Sequence, residues 1–298
     1  MTLYYSDLYT IDLPEGHRFP MSKYSKLRHN LLEKGIVSET DLHSVVPCNR
    51  ETVQLAHSKS YVDSIFNGTI EYLPMRKIGF PWSASLVKRS CATVGGAISS
   101  ALTALENGVS GNLAGGTHHA MTSSGEGFCV FNDFAVVSRL LTQQKNVNKI
   151  AIIDLDVHQG NGNSEILRND ENVCIFSMHG EKNYPFAKIP STIDIALKDD
   201  TTDDEYLEKL TSILPTVMEF SPDLILYQAG VDPLKEDTLG RLSLTLNGLK
   251  ERDKLVFESA YKKGIPVSIA IGGGYCKDIS ITVDAYSQIF STAISVFE

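Results

Sequence analysis

Cysteine is sparse and unpatterned in this chain. Its 298 residues hold five, Cys48, Cys91, Cys129, Cys174 and Cys276, with no CxxC pair. An odd count at open spacing excludes a disulfide framework and a zinc ribbon, and fits reduced thiols in a cytoplasmic protein. No apolar run approaches the roughly 18 residues of a membrane span. No Lys/Arg-rich run occurs either, and 27 basic residues face 36 acidic ones, a formal net charge of −9. Direct nucleic-acid binding through the phosphate backbone is therefore not expected. The opening MTLYYSDLYTIDLPEGHRF lacks the basic and apolar regions of a signal peptide. There is also no low-complexity tract, repeat or Gly/Ser/Pro linker, so residues 1–298 are expected to form a single domain.

What is present is a core-forming chain. It is 42% hydrophobic and carries 12 Phe and 12 Tyr, which argues against disorder. Short apolar runs at 111–114, 149–154, 172–177, 223–229 and 266–271 read as buried strands. Longer amphipathic stretches at 22–34, 83–107, 132–145, 160–168, 203–220 and 246–263 read as helices, with Ser22 a candidate N-cap. Such alternation predicts a three-layer α/β/α fold around a mainly parallel sheet.

Polar, glycine-bearing clusters follow the strands. GGTHHA comes after 111–114, DLDVHQGNG closes 149–154, SMH follows 172–176, GVDP follows 224–229 and GGGY follows 267–271. Ligands of open α/β sheets bind at the carboxyl ends of strands, so five such clusters point to one site.

In Asp154-Leu155-Asp156-Val157-His158 the period of two puts Asp154, Asp156 and His158 on one side. No Lys or Arg is close in sequence, so a divalent cation is the natural partner, the bland alternative being a solvated loop cluster. Asp232 lies just past another strand run, and with Asp156 and His158 it makes an O/N/O set with an open position. Mixed carboxylate and imidazole donors suit Zn²⁺ or Fe²⁺ better than Mg²⁺. His118 and His119 fit acid–base work beside that metal, with Asp154 orienting His118 and Asn161 orienting His119. Tyr275, after three glycines, can donate to a developing oxyanion, although a half-buried tyrosine after a glycine turn is as ordinary. The GGGY run lacks a terminal Lys-Ser/Thr and no clear helix follows it, which excludes a phosphate loop. Cys129 has no base evident in sequence and reads as packing.

GGTHHA, GEGFCVFND, DLDVHQGNG, AGVDPL and GGGY, in this order over residues 115–275, resemble the zinc-dependent histone deacetylase family. With LGRLSLT at 239–245 and HRFPMSKY at 17–24, the chain is most similar to class IV deacetylases and their bacterial relatives. The resemblance implies a zinc-dependent amidohydrolase that removes acetyl or longer fatty acyl groups from N-ε-acyl-lysine. It assigns Asp156, His158 and Asp232 to zinc and His118, His119 and Tyr275 to catalysis. Gly127, Phe128, Tyr184, Leu239 and Gly273 fall at the acyl-lysine tunnel and its rim. A structural K⁺ is implied at the Asp154 carboxylate, the Ser177 hydroxyl and the carbonyls of Asp156, His158 and Met178. Several members have Asp where this chain has Asn161, which implies a less basic His119 here.

Three other readings compete. A deacetylase of acetylpolyamines or other small amines would use the same site. A binuclear manganese ureohydrolase would need a second acidic ligand after His158 and another beside Asp232, and both are missing. A reader or scaffold without turnover would not need the complete set of ligands, histidines and tyrosine.

Overall fold

The computed structural model describes residues 1–298. Its strands are β1 (Leu3–Tyr5), β2 (Leu42–Ser44), β3 (Val109–Asn112), β4 (Ile150–Asp154), β5 (Val173–Gly180), β6 (Ile193–Leu197), β7 (Leu224–Gln228) and β8 (Val267–Ala270). They form one sheet in the order β2-β1-β3-β8-β7-β4-β5-β6, with every pairing parallel. Every residue of β3, β4, β5, β7 and β8 is buried, so both faces of the central sheet are covered. That is the α/β architecture expected from the alternation of elements. No helix is long and apolar enough to cross a membrane.

The five strands that carry the polar clusters are neighbours in this sheet, in the order β3-β8-β7-β4-β5. Register aligns their ends. Asn112 pairs with Ala270, Ala270 with Gln228, Gln228 with Asp154, and Asp154 with Ser177. The chain thus leaves β3, β8, β7 and β4 along one level row, while β5 runs on to Gly180 with Ser177, Met178 and His179 inside the strand, against the expectation that SMH follows it.

The helices are α1 (Lys23–Glu33), α2 (Arg50–Val53), α3 (Lys59–Asn67), α4 (Tyr72–Ile78), α5 (Ala84–Asn107), α6 (Asp133–Gln143), α7 (Asn161–Leu167), α8 (Asp203–Glu219), α9 (Leu246–Lys263) and α10 (Ile279–Phe297). Helix α5 starts where the Ser83 hydroxyl accepts from Leu86 N, and α6 where the Asn132 side chain accepts from Ala135 N.

Two expectations need correction. Ser22 precedes α1, but its backbone is already helical (φ −69°, ψ −9°) and its side chain caps nothing. A helix does follow the GGGY run: α10 begins at Ile279, capped by the Asp278 side chain on Ser280 N. Its first turns hold Ile279, Ile281, Thr282 and Val283, β-branched residues of weak helical propensity, which hid it.

A buried cation ties the central strands together beneath the site. Arg252 on α9 is fully buried and donates to the carbonyls of Gly230 (2.6 Å), Leu155 (3.3 Å) and Ala229 (3.4 Å). It also pairs with Asp253 at 2.8 Å. Leu155 and Gly230 follow β4 and β7, so Arg252 fixes where both strand ends turn. Replacing Arg252 with Met strands the buried Asp253 carboxylate, and urea denaturation should show a loss of about 3–5 kcal/mol. A change below about 1 kcal/mol would remove this role.

Candidate active site

The Asp154–His158 segment is not strand throughout. Asp154 ends β4, and the chain then bends, with Leu155 and Val157 turned into the core at 0% exposure. Strict alternation therefore stops at Asp154. Asp154 turns to His118, while Asp156 and His158 meet Asp232 from the end of β7.

One potential ligand atom each from Asp156, His158 and Asp232 lies within 4.8 Å of the other two. His158 Nδ1 is 3.0 Å from Asp156 Oδ1 and 3.1 Å from Asp232 Oδ2. Backbone amides hold the carboxylates in place. Gly273 N donates to Asp156 Oδ2 at 2.7 Å, and Val157 N donates to Asp232 Oδ1 at 2.9 Å. Burial and the neighbouring Asp156 push Asp232 up to about 7. Asp156 moves well below the usual carboxylate range, because His118 and His158 outweigh its own burial. Burial alone would lower His158, but its bonds to Asp156 and Asp232 raise it to about 10. These groups titrate as one set, and the common cause is two carboxylates removed from water that demand positive charge. A divalent metal supplies that charge with the donor types present, so Asp156, His158 and Asp232 form a possible metal site.

Beside it lie the tandem histidines. Gly115 (φ +90°) and Gly116 (φ +78°) turn the chain through the left-handed region after β3. Asp133, at the start of α6, pins that turn by accepting from Gly116 N at 2.7 Å and Thr117 N at 2.9 Å. His118 and His119 then stack with ring centroids 4.1 Å apart. His118 Nδ1 is 2.8 Å from Asp154 Oδ2, and His119 Nδ1 is 2.7 Å from Asn161 Oδ1. Both pairings are those expected from the sequence. Burial opposes charge on His118, but Asp154 and Asp156 outweigh it and raise its pKa. His119 falls well below the imidazole range through burial, then through His118 and His158. Two adjacent imidazoles are thus shifted in opposite directions, the kind of division that acid–base chemistry uses.

A cavity of about 630 Å³ opens onto these groups. Gly127, Phe128, Tyr184, Leu239, Gly273 and Tyr275 line it, together with His118, His119, Asp156 and His158. Asp154, Asn161 and Asp232 sit behind this surface, as do Ser177 and Met178, all at 1% exposure or less. Phe128 has φ +66° and packs on Phe19 (5.0 Å between centroids) and Phe80 (5.3 Å), so it serves as both core and wall. The Tyr184 ring meets His119 edge-on at 5.0 Å. Burial, then Asp232 and Asp156, push the Tyr275 phenol well above its ordinary value and keep it an O–H donor. Cys129 is buried, and desolvation raises its thiol. His57 is satisfied by Met121 O (2.8 Å) and Asn132 N (2.8 Å), and His179 Nδ1 by the Ser177 hydroxyl at 3.0 Å.

Several contributors were not singled out from the sequence. Asp237 accepts from Tyr275 N at 2.6 Å and from Leu239 N at 2.8 Å, holding tyrosine and rim together. Lys23 and Arg89 are buried cations that line the cavity. Lys23 Nζ lies 5.1 Å from the centre of the Tyr275 ring, and burial lowers it to about 8. Glu126 stands behind Asn161, with its Oε1 2.6 Å from Asn161 Nδ2.

The model of the histone deacetylase domain matches residues 17–290. The chain belongs to this family. As a histone deacetylase family member it is a deacetylase-type hydrolase. It is 40% identical over 296 residues to an uncharacterised Picosynechococcus protein, covering 99% of this chain and 98% of that one. Histone deacetylase 2 of Arabidopsis thaliana is 30% identical over 298 residues, 93% of this chain and 75% of the relative. The acetoin utilization protein AcuC of Staphylococcus aureus is 28% identical, with 94% and 78% covered. Among solved structures, an HDAC homolog from Aquifex aeolicus superposes with a TM-score of 0.83 at 25% identity, over 98% of this deacetylase and 83% of that chain.

Gly273 offers a test of the metal site. A Cβ there would fall inside van der Waals contact of Asp232 Oδ2. Gly273→Ala should therefore weaken Zn²⁺ binding about 10- to 100-fold in calorimetric titration, with secondary structure retained. Unchanged affinity would mean that Asp232 is not a ligand.

Proposed function

We propose that this deacetylase is a zinc-dependent amidohydrolase that removes acetyl or longer fatty acyl groups from N-ε-acyl-lysine of proteins or peptides. The observation that carries the reading is the His118/His119 pair, each imidazole tied through Nδ1 to its own acceptor, 2.8 Å and 2.7 Å away, beside the three-ligand set. Zn²⁺ held by Asp156, His158 and Asp232 would supply Lewis acidity to the amide carbonyl and to water, with Fe²⁺ the second choice.

The chain's own groups do the rest. Asn161 accepts from His119 Nδ1–H, so His119 Nε2 carries a free lone pair and takes the proton from the attacking water. Tyr275 O–H donates to the oxygen that becomes the oxyanion. His118, whose pKa Asp154 and Asp156 raise against its burial, stabilises the negative charge, and the histidine pair returns a proton to the departing amine. Phe128 and Tyr184 would flank the acyl-lysine stem, with Gly127 and Gly273 letting it approach closely and Leu239 at the rim. A K⁺ at Asp154, Ser177 and the carbonyls of Asp156, His158 and Met178 is part of the proposal. Its support is the buried Asp154–Ser177 register pair behind the metal ligands.

Acetylpolyamines are the second reading. The cavity is lined by Arg18 and Lys77 and by Lys182 and Arg241, which both pair with Asp199, while Asp156 is its only acidic lining residue. A polycationic amine would meet like charge on entry, which favours acyl-lysine in a peptide. With zinc-loaded enzyme, kcat/KM for acetyl-, octanoyl- or myristoyl-lysine peptides should exceed that for acetylspermidine at least about tenfold. The reverse order would replace the substrate class, and turnover of none would defeat the amidohydrolase reading. His119→Ala should lower kcat by about 10²–10⁴ with Zn²⁺ still bound. An unchanged rate would remove His119 as the base.

A further inference from the structure

Resting on the reading of His119 as general base, we propose that Glu126 is a positioning residue that fixes the orientation of the Asn161 amide and, through it, the protonated nitrogen of His119. The problem it solves follows from the chemistry of Asn161. A side-chain amide has an oxygen that accepts and a nitrogen that donates, and the two ends have nearly the same shape. With Oδ1 toward His119, Nδ1 of the ring must carry the proton, and Nε2 is left basic. With Nδ2 toward His119, Nδ1 must accept, the proton moves to Nε2, and the base is blocked. A carboxylate at position 161 would accept with either oxygen and pose no such choice.

Glu126 removes the ambiguity. An ionised carboxylate only accepts hydrogen bonds. Its Oε1 lies 2.6 Å from Asn161 Nδ2, on the side of the amide away from His119, whose Nδ1 is 2.7 Å from Oδ1. Flipping the amide would set the Asn161 oxygen against the Glu126 carboxylate and the Asn161 NH₂ against His119 Nδ1–H, so both contacts would fail together. Asn161 and His119 are 1% and 4% exposed, which leaves water little room to rescue a flipped amide. Burial and then the nearby Glu126 carboxylate raise the Tyr184 phenol, so Glu126 also faces the cavity wall. Donation thus runs from His119 to Asn161 and from Asn161 to Glu126, and the Glu126 carboxylate is the acceptor on which it ends.

Steady-state kinetics of the zinc-loaded full chain on an acetyl-lysine peptide test this in two backgrounds. In the native background, Glu126→Gln should lower kcat about 10-fold or more, with KM within about threefold, because Gln can serve either face of the amide. In the Asn161→Asp background a carboxylate faces Glu126, so Glu126→Gln should leave kcat unchanged or raise it. A loss of the same size in both backgrounds would overturn the proposal, since that is what a merely structural Glu126 predicts. ¹⁵N spectroscopy of histidine-labelled protein reads the tautomer without turnover. His119 should carry its proton on Nδ1 in the native chain and exist as a mixture of Nδ1–H and Nε2–H tautomers in Glu126→Gln. An Nδ1–H form in both proteins would equally overturn it. If the native enzyme itself does not turn over the peptide, the amidohydrolase reading fails, while the tautomer comparison still decides the role of Glu126.

Discussion

Everything in the site depends on holding two carboxylates and an imidazole together out of water. Asp156 and Asp232 are 1% and 0% exposed, and both carboxylates contact His158 Nδ1. Such a cluster does not assemble of its own accord, because desolvating like charges costs several kcal/mol. The fold imposes it through backbone. Parallel strands β4 and β7 end in register, Arg252 clamps the carbonyls just past them, and amides of Gly273 and Val157 donate to the carboxylates. The scaffold thus spends stability on charge crowding and leaves a cation to offset it.

The charge of the catalytic pair follows from the same cluster. His118 leans on Asp154 and Asp156 and is raised, whereas His119 is lowered by burial and then by the two neighbouring imidazoles, with neutral Asn161 as its orienting partner. One step of the backbone therefore separates two imidazoles shifted in opposite directions. The distribution of charge over the whole chain obeys a similar local rule. The net charge is −9, yet basic side chains line the cavity. Acidity is concentrated elsewhere, and overall charge says little about what the mouth attracts.

How much of this was legible in the sequence depended on whether a residue's role is local. Strands β4, β5, β7 and β8 were legible because they are short apolar runs next to polar clusters, whereas β3 is Val-Ser-Gly-Asn at 109–112 and the expected run at 111–114 overlaps only its last two residues. Asp156, His158, Asp232 and the two histidine pairings followed from those clusters. Three-residue β1 and β2 were not legible, being too short for any period to appear. Strand β6 was missed because Ile193-Asp194-Ile195-Ala196-Leu197 is a half-exposed edge strand. Helix α10 was masked by its β-branched start. In the site itself, Asp133 and Lys23 lie inside GEGFCVFND and HRFPMSKY, while Asp237 and Arg252 lie outside any motif. Each acts on residues 16 or more away, so none of these roles showed in sequence. Glu126 stood inside a recognised motif, but its partner Asn161 is 35 residues away, so its role appeared only when the fold closed.

If the buried carboxylate pair is a cation site, the stability of the fold depends on a divalent cation. Calorimetric unfolding of the native chain and of Asp232→Asn, each metal-stripped and each in excess Zn²⁺, measures it directly. Zinc should raise the native Tm by about 5–10 °C at a thousandfold excess over Kd and leave Asp232→Asn almost unmoved. Stripped of metal, the variant should melt above the native chain, because one of two crowded charges is gone. Equal zinc shifts in both proteins, or a stripped native chain more stable than the variant, would contradict the account.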